Sequence, residues 1–264
     1  MSRPGLVVVG TGLQVSAHVA PLARAHVVQA DKLLYLTTDL GAAAWLTENN
    51  ASAESLEGFY APGKARADTY EEMVEHVLSF VRAGMLTCLA VYGHPGVFTY
   101  ATHEAVRRAR AEGYEARMLP AISAEDCLFA DLGVDPADHG CQSYEATDFL
   151  VHDRTIDTTS ALVLWQIGVV GNLGLVTQTS QRGLAILAET LVARYGATHP
   201  VVVYHASPHP IVPPTIQRIM IGGILEAEVV PMSTLYVPPL QPERVDWAMA
   251  RRLGLECELA CADE

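Results

Sequence analysis

The chain has 264 residues, and half of them are hydrophobic, so it is long enough and apolar enough to fold around a substantial core. Thirty acidic residues against 17 basic ones give a net charge of −13, which argues against a nucleic-acid partner because such binding depends on neutralising phosphates. No apolar run approaches the roughly 20 residues that span a bilayer. Five cysteines without a Cys-x-x-Cys pair are typical of reduced thiols, so we expect a cytoplasmic protein with no membrane partner.

The first part of the chain alternates strand-like and helix-like segments. The run "GLVVVG" (5–10) predicts a buried strand that ends in a Gly-Thr-Gly turn, and "KLLYL" (32–36) predicts another strand. A helical segment over about 16–30 lies between them. The clearest helix covers 68–84, with Asp68 as its N-cap and a glycine just after its end.

The same alternation continues further along the chain. We predict, in order, a strand at 85–93, a helix at 102–113 that starts at Thr102, a strand at 114–120, and a helix at 123–133 that starts at Ser123. Strands that alternate with helices are typical of a parallel sheet covered by helices.

A loop-rich stretch at 133–160 interrupts this alternation and is the best candidate for a boundary between lobes. After it, strands at 161–168 and 199–207 flank a helix at 182–196. The stretch 228–239 predicts strands near a sheet edge, because its prolines cannot donate to a hydrogen-bond ladder. We therefore predict an α/β protein with two α/β lobes, at 1–130 and 131–240, followed by a helical tail at 241–264.

Several polar or glycine-rich motifs lie at the carboxyl ends of the predicted strands. Ligands of open α/β sheets bind outside the carboxyl ends of the strands, and that position is shared by Gly10-Thr11-Gly12, Gly93-His94-Pro95-Gly96, Ile122-Ser123-Ala124, Gln166 and Tyr204-His205. This shared position predicts a ligand site. The ten histidines show no metal-ligand spacing, so we expect no metal site.

The stretch "YGHPGVF" (92–98) is the most informative of these motifs. A phosphate cradle needs free backbone N–H groups and often a lysine, whereas Pro95 lacks an N–H and no lysine is near. Val97 and Phe98 instead suggest an apolar wall against a flat, uncharged part of a ligand. A purely structural turn fits the spacing equally well. His94 has no carboxylate close in sequence to orient it, which favours a non-catalytic loop histidine over a general base.

A second cluster occupies the stretch "FYAPGKARADTY" (59–70). Tyr60, Lys64, Arg66 and Tyr70 fall in a loop that runs into a helix, and Arg66 and Tyr70 are four residues apart. An arginine beside a tyrosine suits the stabilisation of a developing anion. From the residues alone, a surface arginine with aromatic packing is the better interpretation.

Together, Gly10-Thr11-Gly12, "YGHPGVF", "ISAEDCLFADLG", "LVLWQIG" and "MSTLYVPP" resemble the tetrapyrrole methylase superfamily. Within it, "YGHPGVF", "ISAEDCLFADLGVDP" and "QSYEATDFL" are similar to the borosin peptide backbone α-N-methyltransferases, over roughly residues 5–240. The resemblance implies two α/β lobes, a homodimer, and S-adenosylmethionine held in the cleft between the lobes, with S-adenosylhomocysteine as product. The cofactor pocket that it implies is lined by Tyr92, His94, Val97, Phe98, Ser123, Ala124, Gln166, Tyr204, His205, Met232, Ser233 and Thr234.

The resemblance also implies a substrate and a catalytic set. Arg66, Tyr70 and Tyr60 would flank the substrate amide, whose backbone nitrogen is methylated. A glycine pair that precedes Ser233 in the family is replaced here by Pro231-Met232. Fused family members continue into a clasp and a core peptide, whereas the stretch after 240 is charged and helix-prone. The chain therefore looks like a split enzyme that methylates a separate ribosomally made precursor peptide in trans.

Three alternatives remain beside this hypothesis. A tetrapyrrole or precorrin methyltransferase would need a basic cleft for a substrate with many carboxylates, and the acidic composition counts against it. A non-catalytic peptide-binding module of the same fold would not need Arg66 and Tyr70. A nucleotide-binding regulator is disfavoured by the turn at 93–96, with its proline and without a lysine.

Overall fold

A computed structural model describes residues 4–61, 63–152, 154–172, 178–240 and 245–255. Over these ranges the chain forms ten strands in two five-stranded sheets, nine α-helices and three short 3₁₀ helices. None of the helices in the described ranges is long and apolar enough to cross a bilayer. The mixed α/β architecture with two sheets confirms the predicted fold class.

The first sheet has the strand order β3-β2-β4-β1-β5, and all its strands run parallel. Its strands are β1 (Gly5–Gly10), β2 (Lys32–Leu36), β3 (Glu54–Ser55), β4 (Leu86–Val91) and β5 (Glu115–Met118). Strand β1 is buried along its whole length because helices cover both faces of a parallel sheet. The predicted parallel sheet is therefore confirmed for this part of the chain.

The helices of this lobe are α1 (Val15–His18), α2 (Pro21–Gln29), α3 (Leu40–Asn49), α4 (Arg66–Arg82) and α5 (Tyr100–Ala111). Helices α2 and α3 share one buried cluster with Val7 and Val9 of β1, whereas α4 and α5 share another with Leu6 and Val8. Alternate residues of the strand thus point to opposite layers.

Four sequence-based details of this lobe were wrong. The segment predicted as one helix at 16–30 is divided, because Pro21 opens α2 and the preceding residue is extended. Helix α4 begins at Arg66, so Asp68 lies in its first turn instead of capping it. Thr102 lies inside α5, where its hydroxyl donates to the carbonyl oxygen of Pro95. Helix α3 was not predicted.

The second sheet has the strand order β6-β7-β10-β8-β9 and is mixed. Its strands are β6 (Cys141–Glu145), β7 (Ala161–Trp165), β8 (Pro200–His205), β9 (Thr215–Met220) and β10 (Thr234–Val237). Strand β10 runs antiparallel to both β7 and β8, so the predicted edge position of 228–239 is wrong. Prolines 231, 238 and 239 flank this short strand and remove no donor from its ladders.

The remaining helices are α6 (Ala124–Leu132), α7 (Ala146–Val151), α8 (Gln181–Tyr195) and α9 (Trp247–Leu253). Helices α7 and α8 pack on one face of the second sheet, and Leu128 of α6 packs on the other. The predicted loop-rich boundary contains β6 and α7. Within the predicted tail, α9 is helical, while 241–244 and 256–264 lie outside the described residues. The residue bounds of the two lobes stay a prediction.

Candidate active site

The turns after β1 and β4 meet at one edge of the first sheet. The backbone N–H of Gly12 donates to the carbonyl oxygen of Gly93 at 3.2 Å, and the N–H of Gly93 donates back to Gly12 at 3.0 Å. A side chain on Gly10 has no room, because its Cβ would lie 2.2 Å from the Gly93 oxygen and 2.7 Å from Cδ of Pro95. The two glycine motifs therefore form one continuous surface, which only glycine at position 10 permits.

The turn that follows β4 is fixed from within and presents apolar side chains. Nδ1 of His94 accepts a hydrogen bond from the N–H of Gly96 at 2.9 Å, which leaves Nε2 as the ring nitrogen that can donate. Val97 and Phe98 are exposed, and 53% of Phe98 is accessible to solvent. Phe98 also has a φ of +53°, a conformation that costs a residue with a Cβ.

An aromatic contact crosses from this turn to the second sheet. The rings of Phe98 and Trp165 lie 5.7 Å apart at 61°, and Nε1 of the buried Trp165 donates to Oγ of Ser143 at 2.6 Å. Gln166 follows Trp165 directly and has a φ of +56°. Among the described residues, Phe98 and Gln166 are the non-glycine residues with positive φ. Backbone strain on both sides of one cleft is a feature of ligand sites.

Ser123 is used to start helix α6. Its Oγ accepts from the N–H groups of Glu125 and Asp126, and it donates to the Asp126 carboxylate at 2.7 Å. The same carboxylate accepts from the Ser123 N–H at 2.6 Å. Its hydroxyl and its backbone N–H are thus both engaged within the helix cap, and its carbonyl oxygen accepts from the N–H of Cys127 at 3.3 Å. The half-buried Ala124 packs in the same apolar cluster as Trp165.

Two of the predicted cofactor residues in the second lobe are paired across strands. Tyr204 on β8 lies opposite Thr234 on β10, and both are buried. The Tyr204 hydroxyl donates to the Asp131 carboxylate at 2.7 Å, and burial together with this carboxylate raises the pKa of Tyr204 well above its usual range. Burial lowers the pKa of His205, so its ring is neutral at neutral pH. Tyr204 therefore stays protonated, and neither side chain carries charge.

The turn before β10 is attached to the segment that follows Gln166. Oγ of Ser233 accepts from the N–H of Val230 at 3.0 Å, and the carbonyl oxygen of Ser233 accepts from the N–H of Ile167 at 3.0 Å. Met232 beside it is more than half exposed. The fold thus brings the predicted cofactor residue Gln166 close to the predicted cofactor residues at 232–234.

Tyr60, Arg66 and Tyr70 are also brought together. Burial, the neighbouring Tyr70 and its hydrogen bond with Tyr60 raise the pKa of Tyr60 to about 12, and the nearby Arg66 guanidinium opposes this rise. Arg66 is the first residue of α4 and Tyr70 lies one turn later, so both side chains leave the same helix face. The three residues form a compact polar cluster, which we call the tyrosine–arginine cluster.

The structure adds one aromatic residue that the sequence reasoning missed. The ring of Tyr100 lies 6.3 Å from that of Tyr70, and Tyr100 follows Phe98 by two residues. The 98–100 segment therefore connects the apolar wall with the tyrosine–arginine cluster. The position of Tyr100 at the start of a helix after an apolar wall was the available signal. Tyr92, another predicted cofactor residue, precedes the turn at 93–96, and burial raises its pKa.

A cavity of about 620 Å³ lies between the lobes and next to this cleft. It is bordered by the β1 turn, helix α6 and the segment after β8, and Nε2 of Gln14 donates across it to the carbonyl oxygen of Ser207 at 3.2 Å. None of the predicted cofactor residues lines it. Its carboxylates, Asp126 and Asp131, are already bonded to Ser123 and Tyr204. The cavity therefore does not coincide with the tyrosine–arginine cluster or with the adjoining apolar wall.

No group of three or more His, Cys, Asp or Glu side chains in the described part of the chain is arranged to hold a metal ion. The positive charge of the tyrosine–arginine cluster is the guanidinium of Arg66. The cleft therefore combines the apolar wall and the neutral ring of His205 with the phenols and the guanidinium of the tyrosine–arginine cluster.

The family model for Tetrapyrrole (Corrin/Porphyrin) Methylases matches residues 5–207. The chain is 38% identical over 264 residues to the methyltransferase/ribosomally synthesized cyclic peptide gymnopeptides precursor of Gymnopus fusipes, covering 98% of this chain and 62% of that protein. It is 38% identical over 255 residues to the omphalotin A precursor of Omphalotus olearius, with 95% and 61% covered. It is 40% identical over 244 residues to a type I borosin cyclic peptide precursor of Coprinopsis marcescibilis, with 90% and 62% covered.

The chain thus spans about 62% of the length of the first of these curated relatives. Among solved structures, uroporphyrin-III-C-methyltransferase from Thermus thermophilus aligns with a TM-score of 0.65 at 16% identity, covering 90% of this chain and 94% of that one. At that identity the likeness concerns the fold alone. These matches confirm the resemblance that the sequence motifs predicted.

Proposed function

Because the chain belongs to the tetrapyrrole (corrin/porphyrin) methylases, we propose that it transfers a methyl group from S-adenosylmethionine to backbone amide nitrogens of a ribosomally made precursor peptide. The observation that carries this proposal is the tyrosine–arginine cluster beside the apolar wall. The names of the curated relatives, which join a methyltransferase to a cyclic peptide precursor, support a peptide substrate.

The residues of the cleft fit a cofactor with a flat base and a cationic sulfonium. An exposed apolar wall of Val97 and Phe98 suits the flat part, and the neutral ring of His205 adds no positive charge. Bound S-adenosylmethionine would supply an activated methyl group. We propose that it is held by Tyr92, His94, Val97, Phe98, Ser123, Ala124, Gln166, Tyr204, His205, Met232, Ser233 and Thr234.

A backbone amide is a poor nucleophile because its nitrogen lone pair is delocalised into the carbonyl group. The chain's own residues must therefore take the N–H proton and stabilise negative charge on the carbonyl oxygen. We assign proton acceptance to Tyr70 in its phenolate form, which becomes a neutral phenol in the step, and charge stabilisation to the Arg66 guanidinium. Tyr60 keeps its own proton because its pKa is raised to about 12. It is therefore the hydrogen-bond donor to Tyr70 and helps to position the peptide.

Three finer parts complete the proposal. The precursor is supplied as a separate chain, which the experiment below tests, since the names of the curated relatives join methyltransferase and precursor in one protein. The homodimer rests on the resemblance to the family, and the cytoplasmic location rests on cysteine usage.

The decisive experiment incubates the protein with S-adenosylmethionine and the peptide encoded by a short reading frame beside its gene. We expect mass increments of one methyl group, and fragmentation should map them to backbone nitrogen. A parallel reaction contains uroporphyrinogen III in place of the peptide. Methylation of the tetrapyrrole alone would assign the chain to the small-molecule alternative. Peptide binding without any consumption of cofactor would assign it to the non-catalytic module.

A further inference from the structure

The loop that carries Tyr60 is closed by one lysine. The Lys64 ammonium donates to the carbonyl oxygen of Phe59 at 2.9 Å and pairs with the Glu72 carboxylate at 2.5 Å. The backbone N–H of Lys64 also donates to the carbonyl oxygen of Ala61 at 3.2 Å. Only 21% of the Lys64 side chain is exposed. The chain is therefore anchored by Lys64 on both sides of Tyr60, at Phe59 and at Lys64 itself.

The same contact attaches this loop to the helix of the other two residues. Glu72 lies on α4, which begins at Arg66 and carries Tyr70. We propose that Lys64 is a positioning residue, which holds the Tyr60 hydroxyl against Tyr70 in the cluster assigned above. The effect of Lys64 on catalysis rests on the proposed function. Its role in holding the Tyr60 segment to α4 does not depend on that function.

A lysine suits this position because its ammonium has three donors and can serve two acceptors at once. One acceptor is a backbone carbonyl just before Tyr60, and the other is a carboxylate of α4. An apolar side chain of similar length, such as methionine, has no donor and would satisfy neither acceptor. An arginine also has donors for both, so it should retain the closure.

The effect of losing Lys64 should be local, because the start of the loop has a second anchor. The Phe59 ring packs on His76 of α4 with 5.2 Å between ring centroids, and Nε2 of His76 lies 2.6 Å from the Glu54 carboxylate. These contacts do not involve Lys64. Loss of the lysine should therefore loosen the residues after Phe59 and leave the fold intact.

The test compares Lys64→Met, Lys64→Arg and Glu72→Gln with the parent chain. Arg82→Met is the matched control, because Arg82 forms ion pairs with Glu75 at 2.8 Å and Glu112 at 2.6 Å at the far end of the same helix. Steady-state kinetics with the precursor peptide give kcat and KM. Calorimetry gives the cofactor Kd, and limited trypsin digestion followed by mass spectrometry gives the cleavage rate after Arg66.

We expect Lys64→Met to lower kcat by roughly 10–100-fold, since a misplacement of about 1 Å can cost up to about 100-fold. The cofactor Kd should stay unchanged, Lys64→Arg should restore most of kcat, and Glu72→Gln should fall between them. Cleavage after Arg66 should become faster in Lys64→Met and Glu72→Gln, because loosened loops are cut more readily. Arg82→Met should change none of these quantities.

Parent-like kcat and cleavage in Lys64→Met would overturn the inference. Equal losses in Lys64→Met and Arg82→Met would overturn it too, because the lysine would then act only through general stability. The digestion needs no substrate, so it decides the loop closure even if the parent methylates no peptide. In that case the proposed function would fail, while faster cleavage in Lys64→Met would still support Lys64 as the residue that closes the loop.

Discussion

Two substitutions at Phe98 separate the backbone strain of this residue from the contribution of its ring. Phe98→Ala and Phe98→Gly both remove the contact with Trp165, but alanine keeps a Cβ at a φ of +53° and glycine does not. A left-handed conformation costs a residue with a Cβ about 1–2 kcal/mol. Glycine loses about 0.5–1 kcal/mol more than alanine in conformational entropy on folding. The free energy of unfolding of Phe98→Gly should therefore exceed that of Phe98→Ala by about 0–1.5 kcal/mol.

The loss of the ring should cost both variants the same amount. Full burial of a phenylalanine stabilises by about 1.5–3 kcal/mol and an aromatic pair adds about 0.5–1.5 kcal/mol. Because 53% of Phe98 is exposed, we expect only about half of the burial contribution, and hence a loss of about 1–3 kcal/mol against the parent.

Urea unfolding followed by circular dichroism measures both differences, and calorimetry measures the affinity for S-adenosylmethionine. If the ring forms the wall of the pocket, both variants should bind the cofactor about equally weakly, whatever their stabilities. Parent-like affinity in both variants would refute the assignment of Phe98 to the pocket. A Phe98→Gly variant less stable than Phe98→Ala would refute the argument from strain.

Three further predictions concern the cluster and the glycine edge. Arg66→Ala and Tyr70→Phe should each lower the methylation rate by about 100–1,000-fold, the cost of a lost preorganised group, while calorimetry shows unchanged cofactor binding; near-parent rates in both would contradict their roles. Gly10→Ala should lower the urea midpoint, because its Cβ would lie 2.2 Å from the Gly93 oxygen, and a parent-like midpoint would show that the turns separate freely. The pKa of Tyr60 rises from 10.0 to about 12 on folding, so between these pH values the native state holds a proton that the unfolded chain releases. The free energy of unfolding that depends on this proton is fully present below pH 10 and is lost as the pH rises to about 12. Tyr60→Phe should therefore make the free energy of unfolding fall less steeply over that range, and an unchanged slope would contradict the shift.

The sequence predicted those parts of the fold that are determined locally. Strand β1 was evident because all its residues are apolar, and helix α6 because Ser123 caps it. Helix α3 was not predicted because its alanine-rich sequence has no clear polar face. The central position of β10 was not predicted, because its pairing with β7 and β8 is a long-range property. A four-residue run between prolines does not encode such pairing.

The candidate site divides in the same way. The spacing of Arg66 and Tyr70 predicted their shared direction, provided that the helix starts early, and it starts at Arg66. The glycine motifs were expected at strand ends, but the two-way bond between Gly12 and Gly93 depends on β1 and β4 lying side by side. The contact of Tyr100 with Tyr70 depends on how α5 packs against α4, where Arg108 pairs with Glu71. Such information arises only in the folded chain.

The turn after β1 has a mechanical consequence for any opening of the cleft. Gly12 is bonded to the first lobe through Gly93, whereas its neighbour Leu13 is 95% buried in the apolar cluster of the second sheet. Pulling Leu13 out would cost about 1.5–3 kcal/mol, and freeing the half-exposed Phe98 ring from Trp165 would cost about 1–3 kcal/mol. The two contacts are of comparable strength, so an opening that separates the lobes at both places must break each of them.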